Sequence, residues 1–172
     1  HYNNIFVSKD GTYKWGDLGI AYPSKPDGSL PQNMIGCDGI PLGSKWFMAP
    51  ETYNNRIFTE SSAIYCLAMI AYFVMNDMYP PFLSSEVTEQ ESLDKRFSFS
   101  IINPPINSRF YTSLSQIVCN ILNAQPWTRT KTFEEFIASL ESKTSITPSL
   151  QSNVMAYDSN SDGCADIANN SG

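Results

Sequence analysis

The chain has 172 residues, a formal net charge of −6 and a pI near 4.6, which excludes the basic footprint of a nucleic-acid binder. With 42% hydrophobic and 13% aromatic residues it has the material for one domain-sized core, which excludes general disorder. An acidic balance leaves open a peptide or protein partner, or a nucleotide chelated to a metal.

Cys37, Cys66, Cys119 and Cys164 are scattered without a C-x-x-C pair, and His1 is the only histidine, so no zinc-ligand spacing is present. Cys66 and Cys119 lie in apolar runs, where a free buried thiol is expected. These features predict a reducing compartment and a cytoplasmic location. The chain opens on His rather than Met and shows no basic-then-apolar leader, which predicts a fragment or an incomplete gene product. The longest apolar run, residues 63–75, is shorter than the roughly 20 residues a bilayer span requires, so no membrane partner is expected.

In chain order, Ile5-Phe6-Val7 and Tyr13-Lys14-Trp15 flank Asp10-Gly11, a strong hairpin signal because glycine supplies the positive φ of the turn. Gly16-Asp17-Leu18-Gly19 then ends the second strand with a carboxylate between glycines. Taken by itself, Asp17 is either a cation ligand or a solvated turn residue, and the second is the more common outcome. Residues 20–42 read as one long loop, interrupted by Pro23, Pro26, Pro31 and Pro41, of the kind that is functional or disordered. Trp46-Phe47-Met48-Ala49-Pro50-Glu51 supplies an apolar anchor followed by an acid of buried character. Residues 63–75 are apolar nearly all round and predict a central buried helix, with Glu60, Ser61 and Ser62 suited to cap its entrance.

Residues 84–96 are polar and predict a short surface helix. Leu114, Ile117, Val118, Ile121 and Leu122 fall at helical spacing, and Gln125-Pro126 stops that helix. Thr132 and Glu135 form a capping-box pattern for a helix that turns Phe133, Phe136, Ile137 and Leu140 inward. From residue 143 onward Ser, Asn, Asp and Gly dominate, which predicts a disordered tail over 143–172. Within it, residues 158–166 match part of a Ca²⁺ loop, but position twelve is Asn169, and a polar tail rich in Asp and Asn is the simpler reading.

The order of these blocks resembles the C-terminal lobe of a eukaryotic Ser/Thr protein kinase domain over residues 1–142. Asn4-Ile5-Phe6 is similar to the end of H-R-D-x-x-x-x-N. Asp17-Leu18-Gly19 stands where the family has D-F-G. Residues 43–51 resemble the block that ends in Ala-Pro-Glu, and Gln125-Pro126-Trp127-Thr128-Arg129 resembles D-P-x-x-R. The phrasing of residues 4–21, and Pro104-Pro105-Ile106 ahead of a helix, resembles the NIMA-related group.

The resemblance implies a mainly α fold with a small β-hairpin near the N-terminus and no N-lobe. It implies Mg-ATP as the cofactor of the complete domain, and a protein substrate or partner. It makes Asn4 and Asp17 metal ligands, with a capping or turn role as the alternative for Asn4. Residues 20–42 become the activation loop, with Ser24 and Ser29 as phosphorylation candidates. Gly19 and Ser44 belong to the activation and substrate loop, and Glu51 pairs with Arg129. It also implies what is lacking. The catalytic-base Asp would precede residue 1, and no Gly-rich loop, strand Lys or partner Glu is found. Ala63 stands where the central helix of the family carries Asp, and Tyr2 replaces the loop proline. The expected activity of the chain alone is therefore none, with a pseudokinase-type interaction module as the alternative.

Overall fold

A computed structural model describes residues 1–23, 25–105 and 112–144. Two short strands, β1 (Ile5–Val7) and β2 (Tyr13–Trp15), pair antiparallel with Ile5 opposite Trp15 and Val7 opposite Tyr13. The turn forms because Gly11 adopts φ 82° and its N–H donates to the Ser8 carbonyl. Asp10 Oδ1 accepts from the Ser8 hydroxyl at 2.5 Å and from the Thr12 N–H at 3.1 Å. These bonds to its ionised form hold the Asp10 carboxyl below its ordinary value.

Among the described residues five α-helices follow: α1 (Pro50–Asn55), α2 (Glu60–Met75), α3 (Glu89–Phe97), α4 (Thr112–Asn123) and α5 (Phe133–Thr144). The chain among the described residues is thus mainly helical, with one two-stranded hairpin. Helix α2 is the axle. Its Ile64, Tyr65, Ala68, Met69, Tyr72, Phe73 and Met75 are buried and meet Phe47, Ala49, Ile102, Val118, Ile121 and Leu122 in one cluster. Its length and apolar character follow from residues that are nearly all good packers, and its start is set by a cap. That cap is Thr59, one residue before the expected group. Thr59 accepts from the Ser62 N–H at 3.4 Å, while Ser62 Oγ accepts from the Thr59 N–H at 3.2 Å. None of the described helices is long and apolar enough to cross a membrane.

The polar stretch expected as a surface helix over 84–96 is corrected in two ways. Residues 84–87 make a turn closed by the Ser84–Val87 bridge, and α3 begins only after Thr88, whose capping box with Glu91 is complete. Its inner face is also buried: Ser92, Leu93, Arg96 and Phe97 are all covered. Phe97 stacks on Tyr53 of α1 with ring centroids 3.8 Å apart, and Asn54 donates to the Phe97 carbonyl at 2.9 Å.

Helix α4 packs its Val118, Ile121 and Leu122 on α2 as its spacing demands. Asn123 at its end exchanges two bonds with the Ile102 backbone, of 2.7 and 2.9 Å. In α5, Thr132 caps by accepting from the Glu135 N–H at 3.2 Å, but Glu135 returns its bond to the Lys131 N–H, not to Thr132. Phe136 packs against the core, whereas Phe133 and Ile137, expected to face inward, are exposed. The periodicity is genuine, but α5 lies at the margin of the fold and only part of its stripe finds a partner. The helix runs to Thr144, so the first two residues of the tail expected over 143–172 are helical; the rest of it, with its Ca²⁺-like residues 158–166, lies outside the described residues.

The described part of residues 20–42 is tied down by backbone pairing. The Leu30 N–H donates to the Arg56 carbonyl at 3.0 Å and the Phe58 N–H to the Gly28 carbonyl at 2.8 Å, around a bridge between Ser29 and Ile57. Gly28 has φ 71°, and a Cβ there would stand 2.8 Å from Thr59 Cγ2 and 3.2 Å from the Phe58 carbonyl. Gly28→Ala therefore strains the backbone and pushes on the residue that caps α2. It should destabilise the fold by about 1–3 kcal/mol. A thermal melt checks this, and an unchanged midpoint would contradict it.

Candidate functional site

The hairpin brings the two ends of the N-terminal segment together. The Gly16 N–H donates to the Asn4 carbonyl at 2.8 Å, extending the β1–β2 pairing by one step. As a result Asn4 Nδ2 lies 3.5 Å from Asp17 Oδ2, although thirteen positions separate them in sequence. Asp17 itself adopts φ 55°, a left-handed conformation that Asp tolerates better than most residues. The Gly19 N–H lies 3.4 Å from Asp17 Oδ1 and steadies that corner. Asp17 is exposed and Asn4 half-buried.

The donor set suits a hard cation in part. A carboxylate and a side-chain amide are oxygen ligands of the kind Mg²⁺ takes, and Mg²⁺ ordinarily completes its octahedron with water and substrate phosphates. The amide nitrogen of Asn4, rather than its oxygen, faces Asp17 in this arrangement; turning the amide over would direct two oxygens at one point. Among the described residues, no group of three or more His, Cys, Asp or Glu side chains could hold a metal.

Ser44 stands elsewhere. Its carbonyl accepts from the Phe47 and Met48 N–H groups at 3.1 and 3.2 Å, forming the turn that leads into α1. It lines a cavity with Phe47 and Met48, and among the described residues no hydrogen bond joins it to the Asn4–Asp17 pair. Ser29 is half-buried, and its hydroxyl donates to Asp27 Oδ1 at 2.9 Å. That bond holds the Ser29 hydroxyl within its own turn. Ser24 lies outside the described residues.

Glu51 and Arg129 meet across the fold. Arg129 Nη1 lies 2.6 Å from Glu51 Oε1, and Nη2 lies 3.3 Å from Oε2, a two-pronged pair with both residues buried. The Ser62 hydroxyl donates to the same Oε1 at 2.9 Å, and Arg129 also reaches the carbonyls of Ser61 and Ala124. The pair thereby links the start of α1, the first turn of α2 and the segment after α4.

A second buried guanidinium escaped sequence reasoning. Arg96 of α3 is 1% exposed and donates to the carbonyls of Lys45 and Met48, with Tyr65 Oη 3.4 Å away. Tyr65 is shared: its hydroxyl faces Arg96, while Arg129 lies over its ring, 4.7 Å from the centroid. Burial raises the Tyr65 hydroxyl pKa, and the two neighbouring cations oppose that shift only partly. Arg96 thus clamps the backbone that follows Ser44. The only signal was a basic residue in register with Leu93 and Phe97, one turn and one residue away, inside a helix otherwise charged enough to look solvated.

No protein-family profile matches the chain. Among curated proteins it is similar to the dual specificity protein kinase shkE of Dictyostelium discoideum, 26% identical over 117 residues that make up 67% of this chain and 15% of that protein. It is 24% identical to the serine/threonine-protein kinase Nek4 of Mus musculus over 72% of this chain and 14% of the relative. It is 25% identical to the serine/threonine-protein kinase Nek2 of Homo sapiens over 73% of this chain and 26% of the relative. The chain therefore spans about a quarter or less of the length of these relatives. At this level the chain is similar to part of a eukaryotic Ser/Thr protein kinase domain. The similarity reaches the NIMA-related group, through the Nek kinases of mouse and human.

Proposed function

We propose that residues 1–142 are the C-lobe portion of a protein Ser/Thr kinase domain, and that these 172 residues alone do not transfer phosphate. The observation that carries this reading is the 3.5 Å approach of Asn4 to Asp17, at the two positions that resemble the metal-holding residues of kinases. When bound, Mg-ATP supplies the γ-phosphate and the cation that offsets its charge. The chain's own part is to hold oxygens at one edge, through the β1–β2 pairing, and to keep the following segment in place. Glu51–Arg129 and Arg96, which both meet Tyr65 of α2, serve the second task. Residues 1–172 hold no counterpart of the catalytic-base Asp or the Gly-rich loop, so neither a proton acceptor nor a cover for the nucleotide is supplied. A protein substrate fits this class, and the acidic balance gives no reason to invoke nucleic acid.

Incubating the purified chain with Mg²⁺, radiolabelled ATP and casein tests the reading. The expected result is no label above background. Label that appears in the wild type and vanishes in Asp17→Ala would overturn the claim of inactivity.

A second reading, an interaction module without phosphotransfer, is favoured by Ala63. The kinase central helix carries an Asp there, which accepts backbone N–H bonds from the catalytic loop; Ala offers no acceptor. Restoring it with Ala63→Asp in a completed domain separates the two. Activity gained on that change supports a degenerate kinase, and activity already present without it removes the second reading.

A further inference from the structure

The β1–β2 hairpin leaves one edge of main-chain groups open. In an antiparallel pair, opposed residues alternate between those that exchange hydrogen bonds and those whose N–H and C=O point outward. The Gly16 N–H donates to the Asn4 carbonyl at 2.8 Å and the Ser8 N–H to the Thr12 carbonyl at 2.9 Å. In the observed register this makes Phe6–Lys14 a bonded pair and leaves Ile5–Trp15 and Val7–Tyr13 as the outward ones. The N–H and C=O of Tyr13 and of Trp15 therefore face away from β1, and among the described residues none of the four has a partner. The β1 edge is less complete, because the Ile5 N–H donates to the Tyr2 carbonyl. All three residues of β2 are exposed, Tyr13 at 74% and Trp15 at 61%. A two-stranded hairpin is marginal by itself, and a third strand would stabilise it.

Which strand fits follows from the side chains. Tyr13 and Trp15 share one face with Val7, and Lys14 projects from the other. Lys14 is exposed, and no carboxylate pairs with it among the described residues. Once Tyr13 and Trp15 bond to a new antiparallel neighbour, Lys14 falls at a non-bonded position, where opposed side chains come closest. A second copy of β2, in the register that uses all four groups, sets Lys14 against Lys14, and like charges directly opposite are destabilising. An acid there is favoured instead, and β-branched residues on either side of it pack on the Tyr13 and Trp15 rings.

We propose that the β2 edge takes up an extended segment of a partner protein as an antiparallel strand, with Glu or Asp opposite Lys14 and a β-branched residue on each side of that acid. Main-chain bonds supply the hold, and Lys14 supplies the choice of partner. Neither Asn4 nor Asp17 contributes an edge group, so this interaction stands apart from phosphotransfer.

The test titrates the full ¹⁵N-labelled chain with the capped peptide Thr-Ile-Glu-Val-Thr at millimolar concentration and follows the backbone amides by NMR. Saturable shifts and slower exchange are expected at the Tyr13 and Trp15 N–H groups. The peptide with Lys in place of Glu should bind about 2- to 10-fold more weakly, and Lys14→Glu should reverse that order. An N-methyl group on the peptide Val removes a donor to β2 and should abolish binding. The same group on the Glu nitrogen, which faces away from β2, should be tolerated. Absence of saturable shifts at Tyr13 and Trp15, equal affinity for the Glu and Lys peptides, or binding that survives N-methylation of Val would overturn the proposal. Concentration-dependent shifts of the same two amides without peptide would assign the edge to a second copy of the chain and overturn it as well.

Discussion

Replacing Arg129 by alanine should lower the unfolding free energy by about 3–5 kcal/mol, the largest single-residue effect expected in this chain. The size follows from what remains behind. Glu51 is 6% exposed, and without Arg129 its carboxylate keeps only the Ser62 hydroxyl as a donor. The carbonyls of Ser61 and Ala124 lose a donor in the same step. A buried ion pair adds little net stability over a well-packed apolar pair, but removing one partner strands the other. The double replacement Glu51→Gln with Arg129→Met should accordingly be less damaging than Arg129→Ala alone. Chemical denaturation of the wild type and the two variants checks both statements. If the double variant were the least stable, the pair would be contributing attraction rather than geometry.

Arg96→Met is the second large effect, and it reads out differently. Each buried carbonyl left without its donor costs about 1–3 kcal/mol, and Arg96 serves two, those of Lys45 and Met48. Arg96 has no carboxylate against it among the described salt bridges, so methionine also relieves the cost of burying its charge, and the net loss should fall below that of Arg129→Ala. The local consequence is sharper than the global one. The Phe47 and Met48 N–H groups, both bonded to the Ser44 carbonyl, should lose hydrogen-exchange protection while those within α4 keep theirs. Arg96→Lys should restore only part of the protection, because a single ammonium lacks the planar fork that reaches two carbonyls. Unchanged protection at Phe47 and Met48 in Arg96→Met would show that the turn after Ser44 holds itself.

The two arginines illustrate what could be read from the chain and what could not. Arg129 follows Gln125-Pro126 in a recognisable order of blocks, and Glu51 follows an apolar anchor, so each has a sequence context. Arg96 has only its register with Leu93 and Phe97, because two of its partners are backbone carbonyls, and carbonyls carry no sequence signature. The hairpin was legible because Asp10-Gly11 lies between β-formers and the turn is local. The α4 stripe was legible because α2 covers it along its length. In α5 the same kind of stripe overstates burial, since Phe133 and Ile137 remain exposed while Phe136 packs on the core. Residues 20–42 show the opposite error of periodicity. They have no repeating pattern, yet main-chain pairing of residues 28–30 with 56–58 ties their described part to the start of α2. The approach of Asn4 to Asp17 sits between these cases. Its residue types were legible, and its geometry follows from one hairpin register that a one-residue slip would destroy.

The most direct measurement is a titration of the ¹⁵N-labelled chain with Mn²⁺, a paramagnetic stand-in for Mg²⁺, followed as amide line broadening. Binding should be weak, because two side chains supply only part of an octahedron. Broadening is expected to begin at Asn4 and at Asp17 to Gly19, ahead of exposed acids such as Glu134 and Glu135, and to be lost in Asp17→Asn. Broadening that is no stronger at Asn4 and Asp17 than along α5, or that survives Asp17→Asn, would contradict a metal-holding role for the pair.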